Sequence, residues 1–157
     1  MKLLFPGSFD PFTVGHADIV KRAVAMGFDV VIAVGVNSGK TPMYSSDRRI
    51  DAIRAYYSGD SRVETVGYSG LTVDAVRDNG CDAILRGVRS VTDFDMERNL
   101  ADINRSVGGV ETLLIVSDPA VQHVSSSMVR ELMSFGRNAD DLVIDTFRSM
   151  DIRPVGK

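Results

Sequence analysis

Cysteine and long hydrophobic runs are scarce in this sequence. The 157 residues include one cysteine, Cys81, so the chain can form no internal disulfide and no cysteine-based metal site. A lone cysteine suits a reducing compartment, and we expect a cytoplasmic protein. No apolar run approaches the roughly 20 residues of a membrane span. The apolar N-terminal residues stop at Pro6 and Gly7, which leaves no hydrophobic region for a signal peptide. We therefore expect neither a membrane partner nor a secretion signal.

Positive charge is not in excess either. The 18 Lys and Arg residues are outnumbered by 21 Asp and Glu residues, and the formal net charge is -3 at pH 7. A nucleic-acid-binding surface needs a basic balance, so we expect no nucleic-acid partner. An anionic ligand must instead be held by a few locally placed cations.

What the sequence does have is a regular alternation of two kinds of segment. Short aliphatic runs predict strands at residues 2–5, 29–36, 62–66, 82–85 and 112–116. Helix-period segments predict helices at residues 16–26, 46–57, 71–79, 93–105, 125–135 and 140–150. No repeat or linker divides the chain, so we predict a single domain over residues 1–157. The alternation predicts an α/β fold, a doubly wound Rossmann-like sandwich with a five-stranded parallel sheet.

Ligands bind such sheets at the carboxyl ends of the strands, so the segments that follow the strands are the candidate site. After the first strand, Gly7 allows a ligand close to the backbone and Ser8 offers a hydroxyl. His16 is predicted at the start of a helix, where free N–H groups attract anions, and its ring can donate to a phosphate oxygen. The alternative is a proline-rich turn with a capping Thr13 and a half-buried His16.

The segment after the second strand resembles a phosphate-binding P-loop. The spacing from Gly35 to Gly39 is one residue too short for that motif, and Pro42 prevents a clean helix start. We interpret the likeness as coincidental. Lys40 remains a candidate phosphate-binding cation, with an ordinary loop lysine as the alternative.

Two arginines, Arg86 and Arg89, follow the fourth predicted strand. Guanidinium groups bind phosphate oxygens in pairs of hydrogen bonds; a surface charge pair is the alternative. Asp93, Asp95 and Glu97, on the next predicted helix, are possible partners of these arginines, with a solvated helix face as the alternative.

Three serines, Ser125–Ser127, open the helix after the fifth strand. One of them suffices as a cap, and the other hydroxyls suit a phosphate. Arg130 fits a plain helix surface equally well. No Ser or Cys nucleophile is paired with a base, so the pattern favours direct phosphoryl or nucleotidyl transfer.

These motifs, in this order, carry a family resemblance. Residues 7–11 with Thr13-x-Gly15-His16 resemble the T/H-x-G-H signature of the nucleotidyltransferase superfamily. With Lys40-x-Pro42-Met43, Arg86-Gly87-Val88-Arg89, Asp93-Phe94 and Val124-Ser125-Ser126-Ser127, the chain resembles the bacterial phosphopantetheine adenylyltransferase family from about Lys2 to beyond Leu132. The resemblance implies adenylyl transfer from ATP to 4′-phosphopantetheine, giving dephospho-coenzyme A and pyrophosphate. It also implies Mg²⁺ as cofactor and a homohexamer.

The resemblance further implies a role for individual residues. His16 is the catalytic residue, which stabilises the transition state. The residues implied to bind phosphopantetheine are Ser8, Lys40, Thr72 and Arg86. Those implied to bind ATP are Ser8, Phe9, His16, Gly87, Val88, Arg89, Glu97, Val121, Gln122, His123, Val124, Ser125, Ser126 and Ser127. No protein side chain is implied as a metal ligand. The sequence departs from the family pattern at Ser8, where Thr is common, at Thr41, where a second basic residue is common, and at Thr72 and Val121, where bulkier residues are.

Both implied substrates are anions, so we expect Lys40, Arg86, Arg89 and His16 to neutralise them. We expect ATP on the side of Arg89 and Ser127 and phosphopantetheine on the side of Lys40 and Thr72. Apolar residues in excess of what the sheet needs (Leu71, Val73, Val76, Met96 and Leu100) predict a homo-oligomer. Three alternatives remain: a nucleotidyltransferase for another acceptor, such as nicotinamide mononucleotide or glycerol phosphate; a P-loop kinase, which would release ADP; and a non-catalytic nucleotide-sensing module.

Overall fold

The computed structural model describes residues 1–36, 41–148 and 150. Lys40, predicted to bind phosphopantetheine, lies outside the described residues. Within them, five parallel strands form one sheet in the order β3-β2-β1-β4-β5. The strands are β1 (Lys2–Gly7), β2 (Asp29–Gly35), β3 (Val63–Tyr68), β4 (Ala83–Val88) and β5 (Glu111–Val116). The predicted five-stranded parallel α/β sheet is confirmed.

Helices cover both faces of the sheet. They are α1 (Val14–Ala25), α2 (Ser46–Tyr56), α3 (Thr72–Asp78), α4 (Val91–Gly108), α5 (Ser126–Ser134) and α6 (Asp145–Arg148), with a 3₁₀ turn at Asp140–Leu142. Because successive strand residues point to opposite faces, Leu3 and Phe5 pack in the larger core with α1 and α2. Leu4 packs on the other face with Val73 and Val76 of α3. None of the described helices is long and apolar enough to cross a membrane.

The predicted helix at residues 140–150 is wrong, because a non-helical segment interrupts it. Val143 is extended, with φ -121° and ψ 160°, and forms an antiparallel bridge with Thr13. Val143 and Ile144 are both buried. Pairing with the first loop and burial in the larger core therefore outweigh the helical period of the local sequence.

Three element boundaries in the structure also differ from the predicted ones. Helix α1 begins two residues earlier than predicted because Thr13 is its N-cap, and α4 begins at Val91 because Ser90 caps it. Strand β4 continues past residue 85 to Val88, since Arg86 pairs with Leu114 of β5 and the two residues after it pair likewise. Arg86 is thus a strand residue rather than a loop residue.

The crevice lies where β1 and β4 separate. These strands are neighbours in the sheet although their helices follow on opposite faces, which makes this a topological switch point. They pair only at Leu3 with Ala83 and at Leu4 with Ile84. Beyond those pairs, the Arg86 side chain spans the gap, and its Nη1 donates to the carbonyl oxygen of Pro6 at 2.7 Å.

Candidate active site

His16 is held at the start of α1 by a reciprocal cap. The Thr13 hydroxyl accepts from the His16 backbone N–H, and the His16 ring accepts the Thr13 backbone N–H at Nδ1, 3.0 Å away. This capping box satisfies two helix-end donors. Because Nδ1 is an acceptor, the proton of the neutral ring lies on Nε2. The local sequence thus fixes both the orientation and the tautomer of His16.

The surroundings of His16 keep its ring neutral. The ring packs against Phe9 and Phe12, with centroids 5.1 Å and 5.3 Å away. Burial, followed by the positive charges of Arg89 and Arg86, lowers the pKa of His16 from 6.5 to about 4. At neutral pH the free protein therefore presents a neutral N–H donor here. In the unliganded protein His16 is thus placed to donate a hydrogen bond as a neutral ring rather than to act as a cation.

Gly7 and Phe9 shape the first loop together. Phe9 is buried and adopts φ 48°, a left-handed conformation that is rare for a bulky residue. Its ring lies so close to Gly7 that a Cβ there would sit 2.7 Å from two ring carbons. A glycine is therefore required at position 7. Most of the Phe9 ring is in the core, between Phe5 and Phe12.

Arg86 and Glu97 form the inner ion pair of the crevice. Arg86 Nε and Nη2 donate to the two Glu97 carboxylate oxygens at 2.7 Å and 2.6 Å. The side chains are 27% and 5% exposed. A fork-to-carboxylate pair of this kind is directional and strong. Sequence reasoning assigned Arg86 and Glu97 to different substrates, whereas the structure joins them.

Arg89 and Asp93 form an outer pair at the mouth of the crevice. Arg89 Nε donates to Asp93 at 2.9 Å, and the side chains are 40% and 21% exposed. The Asp93 backbone N–H in turn donates to Ser90, the N-cap of α4. Of the three candidate carboxylates, Glu97 thus pairs with Arg86 in a buried setting and Asp93 with Arg89 near solvent.

The three serines at α5 do different work. Ser125 is the N-cap and accepts the Met128 N–H. The Ser126 hydroxyl donates to the carbonyl oxygen of Pro11 at 2.8 Å, and Ser127 accepts from Arg130 at 3.1 Å. Each of the three hydroxyls thus has a protein partner, but Ser125 and Ser127 accept in these bonds and keep their own O–H to donate.

Two arginines fix the first loop. The sequence left Arg130 open between the site and the helix surface, and the structure shows that it donates to the carbonyl oxygen of Asp10 at 2.8 Å and lines the site. Arg49 of α2 donates to the carbonyl oxygen of Ser8. A buried arginine is rare, but a single sequence does not show burial, so no local pattern singles out Arg49.

Two cavities, of about 450 Å³ and 430 Å³, meet at the carboxyl ends of β1 and β4. Their shared wall consists of Pro6, Gly7, Ser8, Arg86 and Glu97. The first cavity also contains Thr72 and Tyr68. The second contains His16, Gly87, Arg89 and Ser125–Ser127, with Phe9, Val121 and Val124. The structure thus brings most predicted site residues to one crevice with two arms.

Three residues predicted to bind ATP lie outside both cavity linings. Val88 is buried at the end of β4, and Gln122 and His123 are exposed in the turn before α5. Their predicted contacts with a nucleotide stay predictions. Across residues 1–36, 41–148 and 150, no three His, Cys, Asp or Glu side chains converge to hold a metal ion.

Comparison with known proteins identifies the family. Residues 4–132 match the family described as Cytidylyltransferase-like. The chain is 49% identical, over 92% of its length and 94% of the relative, to a phosphopantetheine adenylyltransferase of Porphyromonas gingivalis, and 41% identical to that of Phocaeicola vulgatus over 87% and 91%.

A solved structure shows the same fold at low identity. It is a bifunctional NMN adenylyltransferase/ADP ribose pyrophosphatase from Francisella tularensis, 14% identical, with a TM-score of 0.68 over 90% of this chain and 44% of that one. The fold is therefore shared with an enzyme named for a different activity, whereas the sequence relatives share one name: this chain belongs to the phosphopantetheine adenylyltransferases within the cytidylyltransferase-like family.

Proposed function

We propose that this protein transfers the adenylyl group of ATP to 4′-phosphopantetheine, giving dephospho-coenzyme A and pyrophosphate, the penultimate step of coenzyme A synthesis. The relatives carry the name of this activity at up to 49% identity. The observation that carries the proposal is the pair of cavities sharing the wall of Pro6, Gly7 and Ser8. A transfer between two bound substrates needs two arms that meet at one point.

The chemistry follows from charge and geometry. A phosphate oxygen of the acceptor attacks the α-phosphorus of ATP and pyrophosphate leaves, so the protein supplies no covalent nucleophile. Both reactants are anions that repel each other, and Arg86 and Arg89 reduce that repulsion at the crevice. The neutral His16 donates a hydrogen bond through Nε2 to the phosphate in the transition state, where donors fixed in advance are most effective. The start of α1 adds its backbone N–H groups.

Each arm suits one substrate. ATP occupies the cavity of His16, Arg89 and Ser127, where a guanidinium and a helix start favour a polyphosphate. Phosphopantetheine occupies the cavity of Thr72 and Tyr68, with its phosphate toward Ser8 and Arg86. The two meet beside Ser8, whose exposed side chain lines both cavities.

Magnesium enters as part of the substrate in this proposal. In the described part of the chain, the carboxylates that line the two cavities, Asp93 and Glu97, are already paired with Arg89 and Arg86. This donor set does not fit a metal ion held by the protein alone. Mg²⁺ commonly binds through substrate phosphates and keeps several waters, so MgATP is the expected donor.

We also propose a cytoplasmic homo-oligomer, a hexamer as in the family resemblance. Val73 and Val76 lie in the core of the protein itself, so they are not among the excess apolar residues from which the sequence predicted an oligomer. Leu71, Met96 and Leu100 are exposed, as are other large apolar residues of α4: Val91, Phe94, Ile103 and Val107. An apolar face of this extent is typical of an interface. Light scattering at micromolar concentration should show a multiple of 17.1 kDa, and a lone monomer would contradict the proposal.

Pyrophosphate release tests the activity. ATP with 4′-phosphopantetheine should release pyrophosphate in a magnesium-dependent reaction. Pantetheine should give none, because it lacks the 4′-phosphate whose oxygen attacks the α-phosphorus of ATP. Nicotinamide mononucleotide and glycerol phosphate are the rival acceptors, and faster turnover with either would replace the assigned substrate. Release of ADP would indicate a kinase, and no turnover with any acceptor a binding module.

A further inference from the structure

Arg49 is a buried charged residue that the proposed chemistry does not use. It lies in the first half of α2 and is 4% exposed. Its guanidinium donates to three backbone carbonyl oxygens: that of Ser8, through Nη1, and those of Tyr44 and Ser45, through Nε at 3.0 Å and 3.4 Å. The first belongs to the first loop, at the meeting point of the two cavities. The other two belong to the segment that leads into α2. A single side chain therefore links two separate loops.

Asp10 makes the reverse connection between the same loops. Its carboxylate lies in the first loop, is 7% exposed, and accepts the backbone N–H groups of Met43 and Tyr44, each at 2.8 Å. Arg49 thus binds the backbone of the first loop, and Asp10 binds the backbone of the second. Charge-assisted bonds to backbone groups are stronger than neutral ones, so the two loops are locked in register.

The carbonyl that Arg49 holds is the one before a strained residue. Phe9 has φ 48°, and backbone conformations of this kind persist only where the surroundings enforce them. The Ser8–Phe9 peptide is planar, so the bond from Arg49 to the Ser8 oxygen fixes the direction of the Phe9 N–H as well. Ser8 and Phe9 both line the second cavity. Arg49 therefore sets the orientation of backbone and side-chain donors without touching the cavity itself.

We propose that Arg49 is a positioning residue for the transfer reaction, which keeps the first loop and the segment before α2 in the register that lets the two substrates meet. The inference rests on the proposed adenylyl transfer. Loss of the register separates the reacting atoms but leaves most contacts of each substrate intact. The value of kcat should therefore fall more than the affinity for ATP or for phosphopantetheine. Misplacement by about 1 Å is enough to cost on the order of a hundredfold in rate.

Burial cost supports a role beyond stability. An arginine removed from water is costly even when its donors are used, and apolar side chains of similar size often stabilise a core equally well. Burial lowers the pKa of Arg49, and the Asp10 carboxylate opposes that change. Arg49 is therefore better explained by the need to hold the two loops in position for the transfer reaction than by stability alone.

The test compares Arg49→Met and Arg49→Lys with a matched control, Arg54→Met. Arg54 lies on the same helix and also donates to a backbone carbonyl, that of Thr65 at 3.3 Å, but lines neither active-site cavity. We expect Arg49→Met to lower kcat about 10- to 100-fold, with each substrate's Kd, measured alone by calorimetry, changed by less than about threefold. Arg49→Lys keeps the positive charge but loses the guanidinium fork that reaches both loops, and it should recover part of the loss.

The outcomes separate the two proposals. If the wild-type protein releases no pyrophosphate, the proposed function fails. If the wild type turns over and Arg49→Met matches Arg54→Met in kcat while both are folded by circular dichroism, Arg49 is only structural. If both Kd values weaken by the same factor as kcat/KM, binding rather than register was lost, and the inference fails. Should Arg49→Met not fold, Arg49→Lys decides: a lowered melting temperature with unchanged kcat overturns the positioning role.

Discussion

The inner end and the mouth of the crevice both contain an arginine paired with a carboxylate of α4, yet they differ in surroundings. Arg86 and Glu97 lie between the two cavities, and Glu97 is 5% exposed. Arg89 and Asp93 lie at the mouth, where the arginine is 40% exposed. Solvent weakens exposed ion pairs to about 0–1 kcal/mol, whereas a buried pair is costly to break. The inner end should therefore determine both chemistry and stability, and the mouth should determine mainly the affinity for one substrate.

The largest effect is expected at the inner end, at His16. Replacing it (His16→Ala) removes the neutral Nε2 donor, and kcat should fall by about 10²–10³-fold or more, the usual result of losing one fixed donor to the transition state. The affinity for ATP should change less, because the donor acts on charge that develops during transfer. Steady-state kinetics and ATP titration measure the two effects. An unchanged kcat would remove His16 from the mechanism.

The next effect is expected at the inner pair. Arg86→Ala leaves the buried Glu97 carboxylate without its partner, so the free energy of unfolding should fall by about 3 kcal/mol. Phosphopantetheine binding should weaken far more than ATP binding. The double variant Arg86→Met with Glu97→Met is the control, because it should recover stability without recovering phosphopantetheine affinity. A selective loss of ATP affinity would mean that the two cavities are assigned the wrong way round.

The mouth should give a smaller effect, limited to one substrate. Arg89→Lys retains the charge but loses the guanidinium fork, so the KM for ATP should rise by a factor that corresponds to about 1–3 kcal/mol. The KM for phosphopantetheine and the unfolding free energy should stay nearly unchanged. Substrate titrations and denaturant unfolding check the three quantities. If both KM values rise together, Arg89 shapes the crevice through Asp93 rather than binding ATP.

A separate effect, on stability rather than on kinetics, is the pH dependence at His16. Its pKa is lowered from 6.5 to about 4 in the folded protein, so between these values the unfolded chain takes up a proton that the folded protein does not. Stability should therefore decrease as the pH falls from 6.5 to about 4. The free energies of unfolding of the wild type and of His16→Asn, measured with denaturant, should approach each other as the pH falls through this window. The same slope in both proteins would place the titration elsewhere.

Parts of the site could be predicted because their signals are local. A helix that begins near His16 follows from the helical period of residues 16–26, and the placement of Arg86 and Arg89 near the carboxyl end of β4 follows from the alternation of apolar runs. The interruption at Val143 could not be predicted, since its cause is a bridge to Thr13, 130 positions away along the chain. The separate duties of Ser125, Ser126 and Ser127 likewise depend on neighbours from other segments.

The sequence by itself determined the alternation of strands and helices along the chain, because that alternation depends on hydrophobic period and on groups a few residues apart. Only the tertiary structure decided that Arg86 is shared with Glu97 and Pro6, that His16 is neutral, and that Arg49 lies beneath Ser8. Those properties arise when the crossovers place β1 beside β4. The burial of each side chain and the distances between charges are defined only in the folded protein, and they set the pKa of His16 and the strength of each ion pair.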